Sequence, residues 1–464
     1  MLQRFSLPLL AVGILLLIWF SESVTATPKQ TGPVHIAYWE KWTDFEGDAM
    51  RAVVEEFNKS QNRIHVDILT VSAIQDKTLL AVAGGIPPDV AGLYARNVAQ
   101  YADARALTPL DDYCAKAGLT ADHYLPAYWN IGYYHNRVWA LPSAPASTAL
   151  HYNRDMLTAA GANPDQPPKT LEELDALAEK ITTKNPDGTI KISGFMPEEP
   201  GWWNWGWGYL FGGKLWDGDR KITANDPANV RAWEWVQSYS KRYGAGALQT
   251  FQSGFGNFSS PQNAFLSRKV AMEEQGVWMH NFIRKFSPDL KWSAAPFPRP
   301  AGVGDGEPFT FVDEDILVIP RGAKHPNEAF EFIKFVESQK GMEMLCLGQR
   351  KNSPLAQVSD EFYKKSENPY IRLFADLPRS PNAVAAPKMG IWLEYTDELT
   401  SAFQEMTLLK ISPKDALDRV QIRMQARFDE YNSRLDARKK AELNTATLPR
   451  PAVPIAVSPA AESR

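Results

Sequence analysis

Tryptophan is the residue type whose number and spacing suggest chemistry in this chain. The 464 residues include 15 tryptophans, about twice what average composition predicts. Two of them, Trp39 and Trp42, flank Glu40. Four more crowd one glycine-rich stretch: Trp202, Trp203, Trp205 and Trp207. Flat indole faces suit sugars, because a pyranose ring exposes C–H groups on its faces and hydroxyls around its edge. The clusters therefore favour a carbohydrate-binding site.

The alternative is that these indoles pack a core, as single tryptophans often do. Against it, Trp203, Trp205 and Trp207 recur with a period of two. On an extended strand that spacing turns all three side chains to one side, whereas a core normally mixes side-chain shapes. We expect at least one of them to face a ligand.

A secreted glycoside hydrolase is the competing enzymatic interpretation, since such enzymes need two carboxylates about 5–10 Å apart around the sugar. With 54 acidic residues in the chain, such pairs also arise by chance. The sequence contains no His-Glu-x-x-His, Cys-x-x-Cys or phosphate-loop motif, so no metal, nucleotide or other cofactor is predicted. We also do not expect the protein to be an enzyme. The candidate carboxylates are Glu40, Glu198, Glu199, Glu273, Glu274 and Asp313.

The overall charge and the cysteines narrow the function further. A formal charge of −4 gives no electrostatic reason to expect nucleic acid or an anionic membrane as a partner. Cys114 and Cys346 are the two cysteines, too few for a disulfide framework. They could pair, but two buried free thiols are the expectation.

The first 26 residues resemble a cleaved signal peptide. Arg4 precedes an apolar run over residues 9–20, and small residues surround Ala26. A membrane anchor is the alternative, but the run is shorter than the ~20 residues needed to span a bilayer. No cysteine follows it to accept a lipid. We expect a monomeric protein free in the periplasm that begins near Thr27.

The elements that would position the aromatic residues follow from apolar periodicity. Residues 34–38 and 64–68 alternate as strands, residues 48–58 show a helical face, a helix begins near Ile74, and residues 89–94 form a buried strand. Strand, helix, strand is the opening of a parallel α/β sheet. Ligands of such sheets lie beyond the carboxyl ends of the strands, at residues 39–42 and 95–97.

Four motifs in order make the chain resemble the family-one extracellular solute-binding proteins of ABC importers, the group of maltose-binding and glycerol-phosphate-binding proteins. They are GGIPPDV at 84–90 with ALTPLDD at 106–112; VWALP at 138–142 with LHYNRD at 150–155 and PKTLEEL at 168–174; AFLSRKVAM at 264–272 with GVW at 276–278; and ILVIP at 316–320 with NEAFEF at 327–332.

This resemblance implies an α/β, two-lobed periplasmic-binding-protein fold of type II, with a ligand cleft between lobes joined by a hinge. Chain crossings are expected near Pro145, Gln275 and Ile316. The amino-terminal lobe then comprises residues 27–145 and 276–316, and the carboxy-terminal lobe comprises 146–275 and 317–443. Residues 444–464, rich in proline and alanine, are expected to be a disordered tail. A role in tethering or partner contact stays open for it.

The resemblance also places ligand-binding candidates at ten positions. Asp313 stands either as a hydroxyl acceptor or as a solvated hinge residue, and Arg350 either contacts ligand or forms a surface salt bridge. The ten are Trp39, Glu40, Trp42, Arg96, Trp202, Trp203, Trp278, Asp313, Arg350 and Trp392.

The implied function is capture of a mono- or oligosaccharide and its delivery to the membrane permease of an ABC importer. A phosphorylated polyol is the alternative ligand within the same family. It would require a dedicated cluster of basic residues, of which Lys41, Arg96 and Arg350 are evident.

Overall fold

A computed structural model describes residues 32–304 and 306–446. The predicted signal peptide and residues 447–464 lie outside the described residues. The strands are β1 (Val34–Glu40), β2 (Ile64–Thr70), β3 (Val90–Tyr94), β4 (Tyr133–Tyr134), β5 (Arg137–Val138), β6 (Leu141–Asn153), β7 (Thr183–Lys184), β8 (Ile190–Phe195), β9 (Val270–Gly276), β10 (Trp292–Ala295), β11 (Phe309–Val318) and β12 (Asn382–Val384). The helices are α1 (Asp44–Ser60), α2 (Ile74–Ala83), α3 (Val98–Asp103), α4 (Asp111–Ala117), α5 (Pro126–Gly132), α6 (Arg154–Ala159), α7 (Leu171–Ile181), α8 (Trp207–Leu210), α9 (Pro227–Tyr243), α10 (Ala245–Gln252), α11 (Met279–Phe286), α12 (Pro326–Val336), α13 (Gln339–Gln349), α14 (Asp360–Lys365), α15 (Ile371–Asp376), α16 (Trp392–Thr407) and α17 (Pro413–Ala446).

The predicted α/β opening of the chain is confirmed. Strands β2, β1 and β3 lie side by side and run parallel, with α1 and α2 as the connections. In β1, Ile36 and Tyr38 are buried while His35 and Ala37 are exposed. This alternation gives the strand one core face and one solvent face.

Two long strands join the halves of the molecule. The main sheet has the order β2-β1-β3-β11-β6-β9-β8-β7. All thirteen residues of β6 are buried. Its first half pairs antiparallel with β11, up to Ser147, and its second half pairs antiparallel with β9, from Thr148 onward. β11 in turn pairs with β3 through Asp315 to Val318. One continuous backbone ladder therefore crosses from one half to the other.

The buried apolar side chains divide into two large clusters, and we name the lobes after them. The amino lobe is built around the cluster that contains Ile36 and Val53. The carboxy lobe is built around the cluster that contains Leu150 and Trp233. Trp278 packs against both clusters, which places it where the lobes meet.

The clusters divide the chain differently from the predicted lobe boundaries. Residues from Leu317 to Leu377 contribute to the amino-lobe core, although they were assigned to the carboxy lobe. Conversely, Ala295 and Phe311 belong to the carboxy-lobe core. Near the expected crossing at Gln275, Met272 belongs to the carboxy-lobe cluster and Val277 to the amino-lobe cluster. The chain then returns, because β10 pairs with β6 and Ala295 belongs to the carboxy-lobe cluster. The division into lobes stays a proposal.

Both cysteines are buried and free, which confirms the expected pair of thiols. The predicted boundaries put Cys114 and Cys346 in different lobes, whereas the two residues belong to the same amino-lobe cluster. Burial raises the pKa of the Cys114 thiol to about 12. A thiol held protonated in an apolar core packs as a small hydrophobic residue.

The tryptophan-rich stretch does not form the expected strand. Residues 201–206 form turns and α8 begins at Trp207, so the period of two does not put its indoles on one face. Gly206 and Gly208 explain the compact path, since a Cβ at these positions would meet the Phe311 ring and the Asn229 side chain, respectively.

The last helix continues to Ala446, so residues 444–446 of the predicted tail are helical. Among the described helices, none has both the length and the apolar character needed to cross a membrane.

Candidate ligand-binding cleft

An open cleft with a volume of about 720 Å³ is lined by residues of both lobes. This volume lies within the ~300–1,000 Å³ typical of small-molecule sites. Trp42 and Asp313 contribute from the amino-lobe side, and Trp202 and Trp203 contribute from the carboxy-lobe side. The junction of the lobes therefore holds the candidate site.

The carboxy-lobe wall of the cleft is aromatic. Trp203 stacks on Phe311, with ring centroids 5.2 Å apart and planes only 5° from parallel. The ring centroid of Trp278 lies 6.5 Å from that of Trp203 and 5.7 Å from that of Trp202. The ring centroids of Trp202 and Phe258 are 4.5 Å apart. Each ring is fixed by another ring, so the wall offers preformed apolar faces.

Gly276 lets the Trp278 indole lie against the backbone. A Cβ at Gly276 would come within 2.3 Å of that ring, too close for any other residue. The indole N–H groups of Trp203 and Trp278 are buried without a hydrogen-bond partner among the described residues. Unpaired buried donors are unfavourable, so both groups are candidates to donate to a ligand or to an ordered water.

The amino-lobe wall is charged, with Lys41 at its centre. Its Nζ lies 2.9 Å from Oδ1 of Asp315 and 3.3 Å from Oε1 of Glu40. Burial alone would lower the pKa of Lys41, but the two carboxylates raise it above its usual value. Trp42 donates its indole N–H to Asp315 over 3.1 Å. The network holds the Lys41 ammonium and the Trp42 ring in fixed positions.

Asp313 is a carboxylate of this wall that forms no ion pair within 4.0 Å among the described residues. It accepts a hydrogen bond from the backbone N–H of Glu314 at 2.9 Å. Burial, reinforced by the neighbouring Asp315 charge, raises the pKa of Asp313 to about 6. Arg96 lies over the Tyr94 ring, 4.3 Å from its centroid, and lines the same part of the cleft. Asp313 and Arg96 thus offer an acceptor and a donor to ligand hydroxyls.

The start of α16 closes one end of the cleft. Trp392 is almost fully buried there and meets Trp205 edge-on at 5.3 Å. Thr396, Asp397 and Thr400 follow on the same side of the helix and also line the cleft. Trp392, Thr396 and Thr400 are four residues apart and Asp397 precedes Thr400 by three, which is the spacing of one helical face. The helix therefore adds polar side chains to the cleft.

Seven of the ten predicted site residues line the cleft, and their contact with a ligand stays a prediction. They are Trp42, Arg96, Trp202, Trp203, Trp278, Asp313 and Trp392.

The other three predicted residues do not line the cleft. Trp39 alternates to the opposite side of β1 and packs against the cluster around Leu93. Glu40 is 1% exposed, and it accepts hydrogen bonds from Tyr38 and from the Lys41 backbone. Arg350 forms an ion pair with Glu367, as the salt-bridge alternative stated.

Several cleft residues were not among the candidates. Lys41 and Asp315 adjoin predicted residues, but their ion pair joins β1 to β11, which sequence alone does not bring together. Lys351 is buried and lies 2.6 Å from Glu46; a charged residue in a polar loop gives no signal of burial. Tyr94, Trp205 and Phe258 also line the cleft. Trp205 belongs to the tryptophan-rich stretch, and this sequence feature could have identified it as a cleft residue.

The carboxylates considered for hydrolysis, apart from Asp313, are not part of the cleft lining. Glu273 and Glu274 are buried in β9, where burial raises each pKa to about 8. Glu198 and Glu199 have pKa values raised to about 7, also mainly by burial. Glu273 and Glu274 are buried and Glu198 and Glu199 are half-buried, and none of the four lines the cleft.

Comparison with known proteins points to the same family that the sequence motifs resemble. Residues 44–343 match the sequence profile of a family described as bacterial extracellular solute-binding protein. An uncharacterized ABC transporter extracellular-binding protein of Pyrococcus horikoshii is 26% identical over 379 residues, or 72% of this chain and 77% of the relative. The arabinooligosaccharide-binding protein of Bacillus subtilis is 21% identical over 353 residues, covering 73% of this chain and 77% of its own.

A solved structure of the protein CpMnBP1 with mannobiose bound superimposes with a TM-score of 0.73. The sequence identity is 27%, and the match covers 84% of this chain and 99% of the other. The described fold is therefore that of a two-lobed solute-binding protein.

Proposed function

The chain belongs to the family of bacterial extracellular solute-binding proteins, and we propose that it captures an oligosaccharide for an ABC importer. The observation that carries this proposal is the pairing of an aromatic wall around Trp203 and Trp278 with a charged wall around Lys41 and Asp313. Sugars need both, because their faces are apolar and their edges carry hydroxyls.

The cleft favours a neutral ligand with more than one ring. Lys41 is engaged by Glu40 and Asp315, and Lys351 is engaged by Glu46, so neither is free to neutralise a phosphate. The volume of about 720 Å³ and the successive aromatic rings provide room for at least two sugar units. The names of two similar proteins, which refer to arabinooligosaccharide and mannobiose, support this ligand class.

Binding is proposed to close the lobes. β6 and β11 connect them as one antiparallel ladder, and we place the hinge there. A ligand that contacts both walls stabilises the closed arrangement over the open one, and that difference in affinity drives closure. No bond in the ligand is made or broken.

The protein is proposed to work outside the cytoplasm as a monomer. One relative is named an ABC transporter extracellular-binding protein, and the sequence pattern of residues 1–26 resembles a cleaved signal peptide. The closed form would deliver its sugar to the permease subunits of the importer.

Thermal unfolding with a panel of sugars tests the proposal. A ligand at one hundred times its Kd adds about 2.7 kcal/mol to the free energy of unfolding. We expect a neutral di- or oligosaccharide to raise Tm and to compact the protein in small-angle scattering, while glycerol 3-phosphate does neither. Product analysis is the control. Release of cleaved sugar beyond one equivalent would favour a hydrolase, and a response to glycerol 3-phosphate alone would favour a polyol-phosphate carrier.

A further inference from the structure

A cluster of two histidines and one aspartate lies on β1 and β2 of the amino lobe. These three side chains do not line the cleft. Strands β1 and β2 pair in parallel with His35 directly opposite His65, and with Ala37 opposite Asp67. Because side chains alternate along a strand, His35, His65 and Asp67 project from the same face of the sheet. The intervening Ile36 and Val66 are buried and anchor both strands to the core.

The three side chains converge on one point. Nδ1 of His35 lies 2.8 Å from Oδ2 of Asp67, and Nε2 of His65 lies 3.6 Å from Oδ1 of the same carboxylate. The two imidazole ring centroids are 4.9 Å apart, and one potential ligand atom from each residue falls within 4.8 Å of the others. In a tetrahedral zinc site with metal–nitrogen bonds of 2.0–2.1 Å, ligand atoms are about 3.3 Å apart. Small side-chain rotations would therefore complete such a geometry.

We propose that His35, His65 and Asp67 form a binding site for a divalent transition-metal ion of the zinc type. Two imidazoles and a carboxylate favour zinc, nickel or copper over calcium and magnesium, which prefer all-oxygen ligands. Three protein ligands leave a coordination position for water or for a group of another molecule. Ala37, the strand partner of Asp67, carries only a methyl group and leaves the approach uncrowded.

The competing explanation is a plain hydrogen bond between His35 and Asp67 on the surface. It does not account for His65, whose ring also approaches the same carboxylate. It also does not require the register that places the two histidines opposite each other. Sequence motifs could not indicate the site, because strand pairing joins residues 30 positions apart that match no short metal-binding pattern.

Calorimetric titration of the untagged, metal-free protein with Zn²⁺ tests the site. We expect saturable binding of about one equivalent, weakened about tenfold or more (at least ~1.4 kcal/mol) by His35→Ala, by His65→Ala and by Asp67→Asn. His135→Ala is the matched control, because His135 is also exposed and lies 3.7 Å from a single carboxylate, Asp103. It should leave zinc affinity unchanged. Sugar affinity and thermal unfolding without metal, measured on each variant, verify that the fold is intact.

Cobalt provides a second readout, since imidazole ligation changes the visible absorption of Co²⁺. Loss of that spectrum in the His35→Ala and His65→Ala variants would support the site. Zinc binding that persists unchanged in a variant carrying both His35→Ala and His65→Ala would overturn the proposal. So would the absence of saturable binding to the wild type.

Discussion

The two walls of the cleft are built from different chemistry. The carboxy-lobe wall presents indole faces, with Trp203 stacked on Phe311 and Trp278 beside it. The amino-lobe wall presents Lys41 and Asp313 in a network of charges. Apolar contact contributes most where water is excluded, whereas polar groups fix orientation. We therefore expect the aromatic wall to set affinity and the charged wall to set which hydroxyls are accepted.

The largest expected effect is on the aromatic wall. Trp278→Ala should weaken sugar binding by ~2–4 kcal/mol, or roughly thirty- to a thousand-fold, because a desolvated indole at the centre of an interface is lost. Isothermal titration measures this directly. The matched control is Trp207→Ala, since Trp207 is 1% exposed and lies in the carboxy-lobe core. The Trp207→Ala variant should lose ~3–5 kcal/mol of stability yet bind sugar normally once folded. Normal sugar binding by Trp278→Ala would show that Trp278 is a core residue as well.

The next effect is on the charged wall. Asp313→Asn should weaken binding by about 1–2 kcal/mol, because the amide still accepts a hydrogen bond but without the charge that strengthens it. The pKa of Asp313 is raised to about 6, so the ionised acceptor is present above that pH. Wild-type affinity should fall as pH drops through 6, and the asparagine variant should remain flat over this range. Parallel pH profiles for both proteins would exclude Asp313 as the acceptor.

A smaller effect on sugar affinity is expected at the edge of the aromatic wall. Trp202 is 37% exposed at the rim, where it contacts Phe258. Truncating a peripheral contact typically costs less than ~1 kcal/mol, so Trp202→Ala should weaken binding less than about fivefold. Titration beside Trp278→Ala provides the comparison. A loss as large as that of Trp278→Ala would move the centre of the site toward the rim.

The smallest effect concerns a cation outside the cleft. Arg350 is paired with Glu367, which also pairs with Arg284. An exposed ion pair contributes ~0–1 kcal/mol to stability, and Arg350→Ala should leave affinity within about twofold of wild type. A pronounced loss of sugar binding would return Arg350 to the candidate site.

Local pattern predicted the elements better than their assembly. Alternation at Ile36 and Tyr38 was enough for β1, because burial of one strand face is a local property. The lobe boundaries near Gln275 and Ile316 depend on whether a later strand returns to the same sheet, which no local pattern encodes. Residues 317–377 therefore pack in a cluster that the predicted boundaries did not assign to them.

The site was predicted in part for the same reason. Tryptophans are recognisable by type, and Trp203 and Trp278 do lie in the cleft. Trp39 and Glu40 show the limit: side chains alternate along a strand, so a motif of adjacent residues does not reveal which of them face the cleft. Lys351 was missed because its burial depends on Glu46, three hundred positions away in the chain.

The discontinuous lobes also bear on how the chain is made. Ile36 and Leu377 belong to one core cluster, and the carboxy-lobe core extends to Phe428. During synthesis, the amino lobe cannot complete its core until the segment ending at Leu377 has emerged, and the carboxy lobe waits still longer. Distant contacts of this kind slow folding. A chain that stays open until nearly all of it exists can be threaded through a membrane channel before it folds, so the interleaved topology itself favours export ahead of folding.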